Sequence, residues 1–135
     1  MALHPDHPWI ENQFAPVYIL RYPNGQDPNY FDDLARMYDA IIVWLQAGAQ
    51  RHVLIADLRR LASSARGRKL ASEYYARASP YEKTALLGRG YIVADDRQRH
   101  AITAVQWNAK VDIPKAFFPE EHRALVWARG LLGER

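Results

Sequence analysis

Hydrophobic and polar residues follow two periods along this chain, and the periods predict its secondary structure. Residues 53–56 are apolar at every position and end at a carboxylate, Asp57. A short run that is apolar on both faces and rich in β-branched residues is typical of a central strand covered on both sides. Alternating or aromatic-rich patterns predict the other strands, at residues 9–14, 17–22, 90–94 and 115–118.

Between these strands, apolar residues recur at spacings of three and four, which predicts amphipathic helices. The first helix is expected to begin with Asp27 as N-cap and Pro28 at its first position, and to end near Gly48. The remaining helices are predicted at residues 64–78, 82–87 and 97–110 and from Pro119 to Gly133.

Local residue chemistry predicts the ends of two of these helices. Ser63 or Ser64 can cap the helix that follows the central strand, and Pro80 is expected to break it. Asp95 or Asp96 can cap the helix at 97–110 in the same way.

The order of these elements, β-β-α-β-α-β-α-β-α, predicts an α/β protein with a single sheet of about five strands and helices packed on it. Residues 1–8 contain two His-Pro pairs and no apolar pattern, so they are expected to form a flexible leader. Residues 9–135 are then one domain, long enough to bury its own core.

Composition excludes several classes of protein. The chain has 135 residues, is 49% hydrophobic and contains no cysteine, so disulfides, thiolate metal sites and cysteine nucleophiles are excluded. The first residues lack the pattern of a signal peptide, and no apolar run approaches the ~20 residues that cross a bilayer. These features favour a cytoplasmic protein without a transmembrane segment, and no cofactor or metal is predicted.

Charge is unevenly spread along the chain. The net charge is +3, but residues 1–50 carry two Lys or Arg against six Asp or Glu, whereas residues 51–100 carry eleven against five. Such asymmetry either marks a binding face for an acidic partner or reflects solvated helix faces.

Three stretches carry packing motifs that resemble a known family. They are Asp-Leu-Arg-Arg-Leu at 57–61, the segment at 90–107 that opens Gly-Tyr-Ile-Val-Ala-Asp, and Phe-Phe-Pro-Glu-Glu-His-Arg-Ala-Leu-Val-Trp-Ala-Arg at 117–129. Together they resemble the SpoIIAA-like small bacterial domains of STAS/SEC14 type, over residues 17–132. The resemblance implies a STAS/SpoIIAA-like fold and a non-enzymatic regulatory or scaffolding role through protein–protein interaction, as in anti-sigma-factor antagonists.

The same resemblance and the basic middle segment predict where a partner protein, or a second copy of this chain, would bind. The predicted contact residues are Arg59, Arg60, Ser63, Ser64, Arg66, Arg68, Lys69, Arg97 and Arg99. The family also implies phosphorylation at Ser63 or Ser64. However, the chain reads Leu-Ala-Ser-Ser-Ala there instead of the family's Asp-Ser-Ser-Gly pattern, which favours a capping role.

The sequence leaves two alternatives to protein binding, namely nucleic acid and a small apolar ligand. The arginines at 59–68 with Tyr74 and Tyr75 would form a basic, aromatic patch for nucleic acid, although the modest net charge argues against it. The SEC14-type resemblance also implies a small apolar or lipid ligand, for which so small a core leaves little volume.

Chemically active clusters are possible at three places. His4, Asp6 and His7 include ligand types for a metal. Ser63 or Ser64 would become a nucleophile only if the fold brought a histidine to it. Asp57, Asp95 and Asp96 follow predicted strands, where open α/β sheets bind ligands.

Overall fold

The computed structural model describes residues 3–61, 64–108 and 113–133. Its elements are β1 (Ile10–Glu11), β2 (Val17–Arg21), α1 (Tyr30–Gln46), β3 (His52–Asp57), α2 (Ala65–Ala85), β4 (Leu86–Ile92), α3 (Asp96–Asn108), β5 (Lys115–Phe118) and α4 (Glu121–Leu131). The predicted order and the predicted class, α/β with a single five-stranded sheet, are confirmed. Within the described ranges, no helix has the length and apolar character needed to cross a bilayer.

The strands lie in the sheet in the same order as in the chain, β1-β2-β3-β4-β5. β1 is antiparallel to β2, and the other neighbouring strands are parallel. β3 therefore lies in the middle of the sheet, as its apolar run predicts. The carboxyl ends of β2 to β5 meet at one edge of the sheet, which we call the carboxyl edge.

Helices cover both faces of this sheet. Three successive crossovers connect β2 to β3, β3 to β4 and β4 to β5. Because each moves in the same direction across the sheet, right-handed crossovers place all three connecting helices on the same face. Accordingly, α1, α2 and α3 pack on the face formed by side chains such as Leu54 and Ala56. α4 packs on the opposite face, against Val53 and Ile55. Successive residues of β3 thus alternate between two apolar layers, so the strand is buried on both sides.

The predicted helix break at Pro80 is wrong, because α2 continues through it to Ala85. Proline inside a helix removes a backbone hydrogen bond and costs about 3 kcal/mol. Continuing the helix, however, buries Ala78, Glu82 and Ala85 on its inner face. The separate helix predicted at 82–87 is therefore the last turn of α2, and burial of this face outweighs the local preference.

Two further boundaries differ from prediction. β4 begins at Leu86 and not at residue 90, because His52 at the start of β3 pairs with Leu86. α1 begins at Tyr30 with Asn29 as its N-cap, whereas the Asp27 carboxylate accepts a hydrogen bond from the Asn29 N–H at 2.8 Å and forms a turn ahead of the helix. α4 similarly begins two residues after the predicted Pro119.

Residues 3–8 contact the domain. Pro5 is buried, the His4 imidazole lies 2.7 Å from the Tyr18 hydroxyl, and the carbonyl of Leu3 accepts a hydrogen bond from the Trp44 indole. The flexibility expected of residues 1–8 stays a prediction.

Two glycines in β4 let α4 approach the sheet closely. A Cβ atom added at Gly88 would lie 2.7 Å from Leu131 Cδ1 and 3.2 Å from the Pro114 carbonyl oxygen. A Cβ at Gly90 would lie 3.1 Å from the Trp127 ring. The absence of side chains at these positions therefore sets the distance between β4 and α4.

We expect Gly88→Ala to destabilise the protein by about 1–3 kcal/mol, because the added methyl group overpacks the layer between β4 and α4. Urea unfolding followed by circular dichroism measures the change. Gly25→Ala is the matched control, since nothing lies within 4 Å of its added Cβ. Equal unfolding midpoints for the two variants would contradict this account of the packing.

Candidate functional site

A cavity of about 70 Å³ lies between the helix layer and the carboxyl edge of the sheet. The ends of β2 and β3, the first half of α1, the start of α2 and the inner face of α3 all contribute to it. Its aromatic lining consists of Tyr22, Tyr30, Tyr38, Tyr75 and Tyr91. Among the described residues of the lining, arginine 68 is the only charged side chain. The cavity is thus mainly apolar, with phenol groups as its main polar component.

Four of the tyrosine hydroxyls form two hydrogen-bonded pairs. Tyr22 and Tyr38 share a hydrogen bond of 3.1 Å, and Tyr75 and Tyr91 share one of 2.9 Å. Gln106 on α3 also donates to the Tyr91 hydroxyl. Burial raises the pKa of Tyr22, Tyr38 and Tyr91 well above the usual value of a phenol. These groups therefore stay protonated at physiological pH and act as neutral donors and acceptors.

A buried ion pair lies beside the cavity. Arg89 of β4 and Glu82 of α2 are only 4% and 2% exposed, and Arg89 donates to the Glu82 carboxylate. The guanidinium also lies over the Tyr75 ring, 4.7 Å from its centroid. Burial raises the pKa of the Glu82 carboxyl despite the opposing charge of Arg89. Removing one partner of such a pair leaves a buried charge uncompensated, which typically costs about 3–5 kcal/mol.

A smaller compartment of about 10 Å³ adjoins the cavity and shares four lining residues with it, Tyr22, Ala56, Tyr75 and Tyr91. This volume is about that of one water-sized probe. Tyr74 and Arg89 line the compartment as well. The Tyr74 hydroxyl and Arg89 Nε are buried without a hydrogen-bond partner in the described part of the chain. The inner end of the cavity region therefore has polar groups with unused hydrogen-bonding capacity.

Gln98 holds the mouth of the cavity together. Its side-chain N–H groups donate to the carbonyl oxygens of Leu58 at 2.7 Å and Leu61 at 3.1 Å. Its side-chain oxygen accepts from the Ala94 N–H at 2.8 Å. One side chain thus joins the loop after β3 to the loop after β4. The Asp95 carboxylate accepts a hydrogen bond from the Gln98 N–H at 3.0 Å. Asp followed three residues later by Gln is a capping-box pattern, and this is the signal in the sequence that points to Gln98.

The carboxylate that ends β3 belongs to an ion-pair network outside the cavity. Asp57 lies 2.9 Å from Arg59 and 3.7 Å from Arg21, and Arg21 also pairs with Glu121 of α4 at 2.7 Å. Burial alone would raise the pKa of Asp57, but the hydrogen bonds from Arg59 and the nearby Arg21 charge outweigh it and lower the pKa. Arg21 therefore connects the edge of the sheet to the first turn of α4.

The predicted contact residues have different environments. Arg59 is paired with Asp57, Arg66 lies 4.6 Å above the Phe31 ring, and Arg99 lies 5.1 Å from the Phe117 centroid. Ser64 and Arg68 line the cavity. Ser63 lies outside the described residues.

Three more of the predicted contact residues form the surface that we call the basic rim: Arg60, Lys69 and Arg97. They are exposed, and the structure records no ion pair between any of them and another described residue. Each is adjacent in sequence to a lining residue of the cavity, namely Leu61, Arg68 and Gln98 respectively. The backbone of each basic-rim residue is therefore next to the cavity lining along the chain.

Ser64 is the N-cap of α2. Its backbone is extended, and its hydroxyl oxygen accepts a hydrogen bond from the Gly67 N–H at 3.0 Å. The capping role favoured by the sequence is therefore confirmed for this serine. Phosphorylation of Ser63 or Ser64 stays a prediction.

The described residues do not assemble the other chemistry considered from the sequence. No histidine or carboxylate belongs to the described lining of the cavity, so Ser64 has no base there. His4 and His7 instead contact Tyr18 and the Trp9 N–H. In the described ranges there is no group of three residues that could hold a metal ion.

A buried histidine lies at the opposite end of β3. Among the described residues, His52 Nε2 has no hydrogen-bond partner. Its Nδ1 lies 2.7 Å from the Gln50 carbonyl oxygen and therefore carries the proton. The ring packs 4.5 Å from the Trp44 ring. Desolvation lowers the pKa of His52 to about 4, so this histidine is neutral in the folded protein near neutral pH.

Sequence and structure comparisons add no relative. No protein-family model matches the chain, and neither a curated protein nor a solved structure matches it significantly. The resemblance to SpoIIAA-like domains therefore stays a prediction.

We expect stability to fall as the pH is lowered from about 6.5 to 4. In this window the unfolded chain binds a proton at residue 52, whereas the folded protein, with a pKa of about 4, does not. A difference of this size corresponds to roughly 3 kcal/mol. His52→Gln should flatten the dependence, which urea unfolding at several pH values measures.

The exposed His100 offers the matched control. His100→Gln should leave the slope of stability against pH between 4 and 6.5 as it is in the parent protein. The account of His52 is wrong if both substitutions change the slope equally.

Proposed function

We propose that this protein is a non-enzymatic binding module that takes up a small, largely apolar molecule in the cavity at the carboxyl edge. One observation carries the proposal: the lining combines five tyrosine rings with a few polar groups at one place. Concave, mainly apolar sites with a small number of convergent polar groups are where proteins bind small ligands.

The position of the cavity supports this proposal. Ligands of α/β proteins bind beyond the carboxyl ends of parallel strands, where loops from several crossovers meet. Here the loops after β3 and β4 meet at the mouth and are joined by Gln98. The strands beneath are buried on both faces, so they provide a rigid base on which the lining residues keep their relative positions.

The size of the cavity limits the ligand. At about 10–15 Å³ for each water-sized position, 70 Å³ accommodates roughly five to seven such positions. A cavity of about 150 Å³ holds benzene, so this one encloses a short branched group or part of a ring and is too small for a lipid acyl chain. Of the two ligands implied by the SEC14-type resemblance, the geometry thus favours the small apolar molecule.

The chemistry of the lining favours binding over catalysis. Burial raises the pKa of the Tyr22 and Tyr38 phenols, and the described residues of the lining include neither a histidine nor a carboxylate that could transfer a proton. Tyrosine rings instead offer broad apolar faces for stacking and hydroxyl groups for orienting a ligand.

We expect phenol, used as a probe, to shift amide resonances of the lining residues Gly67, Ala101 and Ile102 in a ¹H–¹⁵N titration. Ala71→Phe should abolish these shifts, because the new ring projects from α2 into the cavity where Ala71 lines it. Ala76→Phe is the matched control, since Ala76 is an exposed alanine of the same helix. Identical phenol shifts in the two variants would place the binding elsewhere.

A second candidate function is docking on an acidic partner protein through the basic rim. The observation in its favour is that Arg60, Lys69 and Arg97 are exposed cations without ion-pair partners among the described residues. Complementary charge steers association of this kind. A regulatory role, a homodimer, a bacterial anti-sigma-factor-antagonist type of partner and a cytoplasmic location all belong to this second proposal.

Charge reversal of Arg60, Lys69 and Arg97 to Glu should remove a crosslinked partner that the parent protein retains in its native cells, with little change in melting temperature. Reversal of Arg123 and Arg129, exposed on α4 across the sheet, is the control. Tight binding of random-sequence DNA that weakens steeply with salt would indicate nucleic acid as the partner instead.

A further inference from the structure

We infer that the ligand of the cavity is a small neutral carbonyl compound whose oxygen enters the inner compartment, the space of about 10 Å³ beside the cavity that Tyr74 and Arg89 line. This inference deepens the proposed function and rests on it. It assigns a functional group to the ligand and places that group at two named side chains.

Two hydrogen-bond donors of the inner compartment have no partner in the described part of the chain. They are Arg89 Nε and the Tyr74 hydroxyl, and the two residues are only 4% and 2% exposed. Tyr74 belongs to α2 and Arg89 to β4, so the helix layer and the sheet each supply one donor. A buried donor without a partner is destabilising, and a ligand atom that accepts from both is therefore stabilised at this place.

These two donors require an acceptor atom. Arg89 Nε carries one hydrogen and has no lone pair to offer. Burial raises the pKa of Tyr74 above the usual value of a phenol, so its hydroxyl keeps its hydrogen. A carbonyl oxygen has two lone pairs and can accept both hydrogen bonds, whereas a hydroxyl or amino group would bring a further hydrogen next to the donors.

The charges around the inner compartment favour a neutral group. Arg89 already donates to the Glu82 carboxylate, and together the two side chains have no net charge. A carboxylate on the ligand would lie beside a pair that already contains one, and a cation would lie beside Arg89, so either would be a buried charge without compensation. Glu82 and the Tyr75 ring, 4.7 Å from the guanidinium, also hold Arg89 in position.

The volumes of the two spaces limit the shape of the ligand. The inner compartment has about the volume of one water-sized probe, so it takes one terminal atom and excludes an ether oxygen, which carries substituents on both sides. The compartment and the cavity lie side by side, because they share Tyr22, Ala56, Tyr75 and Tyr91. The cavity then holds the short alkyl groups of the ligand. A buried water molecule is the competing occupant of the inner compartment, since it offers the same lone pairs.

Two probes of the same shape test the carbonyl group: butanone carries the oxygen, and 2-methyl-1-butene has a CH₂ group in its place. In ¹H–¹⁵N titrations, butanone should shift both the Ala101 amide, in the cavity lining, and the Arg89 Nε–H resonance, in the inner compartment. The hydrocarbon should shift the Ala101 amide with roughly tenfold lower affinity, because its CH₂ group accepts no hydrogen bond.

Tyr74→Phe tests the contact with the oxygen. It removes one donor and keeps the ring, which stacks on Tyr38 with centroids 4.4 Å apart. The preference for butanone over the hydrocarbon should fall from roughly tenfold to about threefold. The melting temperature should not fall, because the removed hydroxyl has no partner among the described residues. Tyr81→Phe is the matched control: it makes the same change at an exposed position of α2 outside both linings, and should keep the preference within about twofold of the parent value.

The outcomes distinguish this inference from the proposed function. Equal affinities for the two probes, both lost in Ala71→Phe, would overturn the carbonyl assignment and leave the small-molecule site standing. Binding of neither probe up to its solubility would overturn both. Magnetisation transfer from water to Arg89 Nε–H that persists at saturating butanone would identify a resident water in the inner compartment and overturn the inference. An unchanged preference in Tyr74→Phe would overturn it as well.

Discussion

Burial of β3 on both faces is the constraint on which the rest of this structure depends. Its backbone hydrogen bonds are satisfied by β2 and β4, and its side chains alternate between a layer of three helices and a single helix. Parallel neighbours need crossover connections, and α1 and α2 supply them on the two sides of β3. The carboxyl edge, where the cavity lies, is a consequence of this arrangement.

The two faces of the sheet are packed with different kinds of side chain. On the α4 side, small residues in β4 bring the Trp127 ring and Leu131 against the strand, and the layer is apolar. On the other side, large tyrosines separate the sheet from α1, α2 and α3. Their hydroxyls must find partners inside the core. The cavity of about 70 Å³ lies on this face, among these rings.

The charged side chains differ in how deeply they are buried. Arg89 enters the helix-side layer from the middle of β4 and is tolerated there because Glu82 and two tyrosine rings surround it. Arg60 and Arg97 of the basic rim are exposed and lie on other segments, after β3 and in the first turn of α3. The positive charge of residues 51–100 thus includes one buried, compensated cation as well as exposed cations such as those of the basic rim. A ligand in the cavity and a partner on the rim would meet at the same edge of the sheet.

The sequence by itself determined the order of strands and helices, the central place of β3 and the serine cap of α2, because periodicity and capping depend on residues close together in the chain. It did not determine the continuation of α2 through Pro80, the length of β4 or the burial of Arg89, since distant partners outweigh local preference at these positions. The tyrosines were recognisable as strand or helix residues, but their meeting around one cavity required the crossovers that bring β2, β4, α1 and α2 together. Only the tertiary structure decided that, because a cavity is formed by the spaces between elements and has no signal in any one of them.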